Sequence, residues 1–211
     1  MSIINEYPKG NTAAFWLSIA AATVMLVAII GLGILWLFSD LFKLPLKPRI
    51  IFVAGQNDLF ANNVPTHMVK RTIDECKKHP QHTYFFQTKN PERLCSFLFD
   101  FPKESILCTT IETNRKYPQM GFAPTTYERA QAMRKITAFE KQVTIEPVMD
   151  FDLDEMVMLI RMCHPSKVNI GADSKHNNLP EPSKEKLLAL IDELSKFTVI
   201  DQKRNLNRLL K

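Results

Sequence analysis

Much of what this chain lacks is chemistry that short motifs would announce. No G-x-G-x-x-G follows any predicted strand, and no G-x-x-x-x-G-K-[ST] loop occurs; this disfavours the dinucleotide-binding and P-loop classes. The cysteines Cys76, Cys95, Cys108 and Cys163 form no C-x-x-C or C-x-x-x-C pair. Metal-type spacing is therefore absent, and buried free thiols in a reducing compartment are expected. His67, His79, His82 and His164 fall in predicted helices or just beyond them, and His176 falls in a loop. That placement disfavours His-based metal or triad chemistry. No Lys/Arg run accompanies the net charge of +5 and the pI near 9.0. A mildly basic balance suits an anionic partner, with nucleic acid the weaker reading.

Charge is missing altogether from residues 12–38 (TAAFWLSIAAATVMLVAIIGLGILWLF). The run exceeds the ~20 apolar residues that a bilayer requires as helix. Trp16 and Trp36 sit near its ends, where indoles favour the interface. It is too long for a cleaved signal peptide, so one transmembrane helix anchored in the lipid bilayer is expected. Lys43, Lys47 and Arg49 follow it, against Lys9 offset by Glu6 before it, which places the C-terminal domain in the cytoplasm. Gly31 and Gly33 lack G-x-x-x-G spacing, so no helix pairing is inferred. The expected organisation is a polar N-terminus at 1–11, the membrane helix at 12–38, a linker with Pro45 and Pro48 at 39–48, and a domain at 49–211.

That domain alternates strand and helix. Strands are predicted at 49–55 (RIIFVAG), 83–89 (TYFFQTK), 105–112 (SILCTTIE), 141–147 (KQVTIEP), 167–172 (KVNIGA) and 198–202. Helices are predicted at 64–79, 91–101, 126–136, 152–163 and 183–197, with terminal helical turns at 205–211. Such alternation implies a parallel sheet with right-handed crossovers, either open and doubly wound or a whole or partial β/α barrel.

Strand-end polarity chooses between them. Thr110-Ile111-Glu112 and Thr144-Ile145-Glu146 close two strands with the same letters. Side chains alternate between faces, so Glu112 and Glu146 share a face with Gln87, Lys89, Asn169, Asp173, Asp201 and Lys203. Phe86, Ile111, Ile145, Ile170 and Ile200 occupy the other. One polar and one apolar face fit a barrel interior with a polar top better than a sheet covered on both sides. The fold class expected is α/β: a partial TIM-type barrel of about six parallel strands, preceded by one transmembrane helix.

Functional groups in such folds gather at strand C-terminal ends. The ligand-binding candidates there are Asn57, Asp58, Gln87, Lys89, Glu112, Asn114, Arg115, Glu146, Asn169 and Asp173, with Asp201, Lys203 and Asn205 in the same ring. None is a nucleophile with its own base, so no catalytic residue is assigned. The bland reading pairs Lys89 with Glu112 and satisfies the rest with neighbours and water. The functional reading is a small-molecule site, with Arg115 the choice for an anionic group. Residues 114–125 are either a lid or an ordinary surface loop.

The stretches Asn57-Asp58-Leu59-Phe60, Gln87-Thr88-Lys89-Asn90-Pro91-Glu92-Arg93, Thr109-Thr110-Ile111-Glu112-Thr113-Asn114-Arg115, Val143-Thr144-Ile145-Glu146-Pro147 and Asn169-Ile170-Gly171-Ala172-Asp173-Ser174 resemble a bacterial and phage family. That family belongs to or borders the radical SAM superfamily, with spore photoproduct lyase a distant relative. The resemblance runs from about Pro45 onward. It implies a partial β/α barrel and, in intact members, S-adenosylmethionine bound to a [4Fe–4S] cluster. Such a cluster needs thiolates from C-x-x-x-C-x-x-C after the first strand. This chain has no such motif, so no cluster ligand is assigned to it. The expectation is a truncated, split or degenerate enzyme that keeps a polar ligand site, with a separate cluster-bearing chain as one partner. The alternatives are a non-catalytic scaffold using the barrel edge at 49–55, or a nucleic-acid-associated protein.

Overall fold

A computed structural model describes residues 47–175 and 177–211. The expected membrane helix at 12–38, most of the linker and His176 lie outside these residues. Among the described residues no helix is long and apolar enough to cross a membrane. The expected architecture with a leading transmembrane helix, and the single-pass membrane location drawn from it, are corrected accordingly. The architecture described is an α/β sheet domain with no membrane span.

Six strands, β1 (Ile50–Val53), β2 (Thr83–Thr88), β3 (Ser105–Thr110), β4 (Glu140–Ile145), β5 (Lys167–Ile170) and β6 (Val199–Gln202), form one sheet in sequential order. Every pairing is parallel. The crossovers carry α1 (Thr66–Lys77), α2 (Pro91–Cys95), α3 (Thr126–Lys135), α4 (Leu153–Cys163) and α5 (Lys184–Ser195). A sheet that never reverses its order, joined by crossovers of one hand, puts all its helices on one face. Successive helices α2 to α5 accordingly pack side by side. The winding is single, not double. Each edge strand, β1 and β6, has one neighbour in this sheet.

Local chemistry sets the boundaries. Ser183 caps α5 by accepting from Lys186 N, and Thr125 with Glu128 makes a capping box for α3, each satisfying an orphan helix donor. α2 is shorter than the predicted 91–101. After Cys95 the chain continues in i→i+3 turns. These turns deliver Phe97 and Phe101 to Phe60, with ring centroids 6.0 and 5.9 Å apart, and Phe101 to Phe86 at 4.8 Å. Aromatic packing there outweighs continuation of the helix.

Register divides the sheet into two faces. Thr88, Thr109, Val143, Val168 and Ile200 align toward the helices, along with Phe86 and Leu107. On the other face run Gln87–Cys108–Gln142–Lys167–Val199 and, nearer the strand ends, Thr110–Thr144–Asn169–Asp201. The expected split of Phe86, Ile145, Ile170 and Ile200 from Gln87, Asn169 and Asp201 agrees with this register.

Candidate functional site

The two Thr-Ile-Glu stretches are neighbours in register. Thr110 pairs with Thr144, and Ile111 N donates to Thr144 O at 2.9 Å. Glu112 and Glu146 therefore extend adjacent strands at the same end of the sheet. Each carboxylate is held by cations and amides from other elements. Glu112, with 2% of its side chain exposed, accepts from Lys89 Nζ at 2.8 Å and from Arg129 Nη1 at 2.7 Å. Glu146 accepts from Lys203 Nζ, and from Asn205 Nδ2 at 3.0 Å. The Lys89–Glu112 pairing expected from sequence is present.

Arg129 was not among the sequence candidates. It lies on α3 with its side chain fully buried. Its Nε donates to Pro124 O at 2.7 Å and its Nη1 also donates to Thr110 O at 3.0 Å. Its Nη2 is buried with no partner among the described residues. The signal was available: Thr126, Arg129, Ala130 and Met133 form the buried stripe of α3, and a guanidinium at a core position of a helical period needs an acid to meet it.

Gly171 makes room for Glu146. A Cβ at Gly171 would lie 2.6 Å from Glu146 Oε1 and 2.8 Å from its Cδ. The carboxylate therefore crosses β5 where only glycine leaves space.

Several remaining candidates serve as ties between loops. Asp58 accepts from Phe60 N, Thr88 Oγ1 and Lys89 N at 2.8–2.9 Å, binding the β1–α1 loop to the end of β2. Asn57 is exposed, and its backbone N donates to Ala54 O. Gln87 Nε2 donates to Thr110 Oγ1 at 3.2 Å. Asn114 Oδ1 accepts from Asp152 N and its Nδ2 donates to Glu155, which secures the start of α4. Asp173 accepts from Lys175 N and from Asn177 N and Nδ2. Burial pushes its carboxyl up, but these bonds outweigh that and lower it. Asn169 stands half-buried in the polar row on β5.

Arg115 uses its fork on two acids of its own chain. It pairs with Asp150 and Asp152, and Lys186 also reaches Asp150. The Arg115 hydrogen bond, with that of Asn114, holds the Asp152 carboxyl down at about 2. The donors expected to meet an external anion are thus engaged within the chain. The 114–125 loop carries a short 3₁₀ turn, Pro118–Met120, and Tyr117 Oη donates to Asp150 O at 3.4 Å.

The residues present do not fit an iron–sulfur cluster. Among the described residues no group of three or more His, Cys, Asp or Glu side chains can hold a metal ion. Burial pushes the thiols of Cys76, Cys108 and Cys163 up to about 12, whereas cluster ligands must be thiolates. No step through a cluster is derived.

Fold and site together define a singly wound parallel α/β protein with paired charges at its strand ends. The family model described as "Protein of unknown function (DUF5131)" matches residues 34–180, and the chain belongs to this family. No curated protein matches the chain. The family match gives no support to a phage link, and that expectation is withdrawn.

Proposed function

We propose that this chain is a small-molecule-binding protein whose ligand lies across the C-terminal ends of β2 to β6, and that it runs no cluster chemistry with its own residues. The supporting observation is the division of labour around Glu112. Two cations, Lys89 and Arg129, share this one carboxylate. Arg129 is sealed from solvent, while Lys89 keeps 40% of its side chain exposed. Lys89 is thus the solvent-accessible cation of this cluster, on the face where Gln87 meets Thr110. An accessible ammonium at the strand ends favours an anionic or zwitterionic small molecule, whose negative group it can meet.

The proposal keeps the resemblance of the strand-end stretches to radical SAM proteins as its guide to ligands. S-adenosylmethionine is accordingly one ligand to test. The reading does not depend on it, and a separate cluster-bearing chain would have to supply any radical chemistry.

Thermal unfolding of the full chain with a panel of anionic and zwitterionic small molecules, S-adenosylmethionine included, tests this reading. A ligand at one hundred times its Kd stabilises by about 2.7 kcal/mol. At least one compound should raise Tm in the wild type, with the shift lost in Lys89→Ala. Shifts that survive Lys89→Ala unchanged would contradict the assignment.

A second reading has its own observation. Edge strand β1 has no outer neighbour among the described residues, its Ile50 and Phe52 are 67% and 50% exposed, and a parallel edge of this kind invites strand pairing. This favours a scaffold role for that edge, separate from the ligand site.

A further inference from the structure

One row of side chains crosses the strand ends at a single level. Thr110 pairs with Thr144, Thr144 with Asn169, and Asn169 with Asp201. Thr88 pairs with Thr109, so Lys89, the next residue, comes beside Thr110 and begins the row. Val168 and Ile170, on either side of Asn169, are fully buried. Side chains alternate along a strand, so Asn169 points to the face that carries no helices.

Most of this row is spent on neighbours. Thr110 Oγ1 accepts from Gln87 Nε2 at 3.2 Å, and Thr144 Oγ1 lies 3.5 Å from Cys108 Sγ. Asp201 accepts from Lys167 Nζ at 3.4 Å. Asn169 differs. Its carboxamide has neither a donor nor an acceptor among the described residues, and it is only half-buried, so a solute can reach it. A primary amide presents a carbonyl acceptor and N–H donors side by side in one plane. The group that satisfies both at once is another amide edge, with its own N–H beside its own C=O. Charge along the row is also polarised, with the accessible ammonium of Lys89 at the β2 end and the Asp201 carboxylate next to Asn169 at the other.

Resting on the small-molecule reading above, we infer that the ligand carries an amide edge opposite its negative group, and that Asn169 reads this edge. The negative group meets Lys89. The N–H of the edge donates to Asn169 Oδ1, and its C=O accepts from Asn169 Nδ2. Lys89 Nζ reaches Glu112, beyond the end of β3, and Asn169 stands on β5. Two strand spacings, about 10 Å, therefore separate the two contacts. Asp201 repels an anion from the Asn169 end and so fixes the direction in which the molecule lies. A uracil-type ring and a simple carboxamide both supply such an edge.

Calorimetric titration of the full chain with two matched pairs tests this. Uridine 5′-monophosphate is set against ribose 5-phosphate, and the monoamide of adipic acid against hexanoate. The first of each pair has an anion and an amide edge, and the second has the anion alone. At least one edge-bearing compound should bind about tenfold, or 1.4 kcal/mol, more tightly than its partner. The pair that shows the advantage identifies the source of the edge. Asn169→Ala and the similarly sized Asn169→Leu should each abolish that advantage and leave the partner's affinity as in the wild type. Lys89→Ala should weaken both members of the pair alike. Equal affinities within both pairs, with binding lost in Lys89→Ala, would overturn the amide contact and leave the strand-end site standing. An advantage that survives both Asn169 variants would also overturn it. Binding of none of the four compounds would overturn this inference, and the wider panel above then decides the strand-end site on its own.

Discussion

Arg129 Nη1 donates to Glu112 Oε2 at 2.7 Å, with both side chains essentially sealed from solvent. This bond ties the first helical turn of α3 to the end of β3, and from there Lys89 extends it to β2. A buried pair of this kind is costly to break on one side only, because the remaining charge stays in place. Arg129→Met leaves Glu112 to Lys89 alone and deprives Thr110 O and Pro124 O of their donor, and should cost about 1–3 kcal/mol in urea unfolding at neutral pH. Lys89→Ala, which removes the solvent-facing partner, should cost less than about 1 kcal/mol. Equal losses from the two would refute the claim that Arg129 is the structural member and Lys89 the ligand-facing one.

Glycine at position 171 is required by Glu146, not by a turn. Gly171→Ala should displace the Glu146 side chain from Lys203 and Asn205 and destabilise the fold by about 1–3 kcal/mol. Adding Glu146→Ala removes the atoms that the new Cβ meets. The double variant should therefore be destabilised by less than the sum of the two single ones, as a double-mutant cycle in unfolding free energy will read.

Thiol reactivity checks the burial of the cysteines. With Cys76, Cys108 and Cys163 pushed up to about 12 by burial, the nucleophilic thiolate is scarce at pH 8. In the native protein only the half-exposed Cys95 should react with an aromatic disulfide reagent, and slowly, because burial raises its thiol as well. All four should react after unfolding. Rapid native reaction of more than one thiol would contradict the packing described.

Lys141 sits on the helix-facing side of β4, buried, with Nζ donating to Met133 O at 3.1 Å. Burial lowers its pKa below the ordinary 10.5. A lysine depressed in the fold binds fewer protons there than in the unfolded chain, so its contribution to stability rises with pH between the folded pKa and 10.5. Lys141→Met should abolish that rise and match or exceed the wild type at pH 7. Unfolding free energies measured at pH 7 and pH 10 decide it. The buried thiols oppose this trend in both proteins, so the readout is the difference between them, and a difference that stays constant from pH 7 to pH 10 would rule the account out.

Period and punctuation made the sheet legible. The alternation in TYFFQT placed β2, and Ser183 and Pro65 marked the starts of α5 and α1 to within a residue. Alternation also gave the polar face, because parallel register keeps like positions together. What sequence reasoning missed depends on reach across the fold. Arg129 meets Glu112 only because α3 packs back over the end of β3. Arg115 finds Asp150 and Asp152, more than thirty residues away, and so loses the freedom expected of it. Asn205 was placed in the polar ring, but its unmatched Oδ1 is visible only in three dimensions. The membrane helix rested on hydropathy, length and flanking Trp16 and Trp36, and concerned residues outside those described.

The central claim is that the strand ends hold a small molecule. Native mass spectrometry of the full chain, isolated without denaturation, tests it most directly. The account predicts an adduct of roughly drug-like size or smaller, anionic or zwitterionic and released on unfolding. That adduct should be absent when Lys89→Ala and Glu146→Gln are combined. Bare protein mass, together with no binding of any anionic or zwitterionic compound of the panel by wild-type protein, would contradict it.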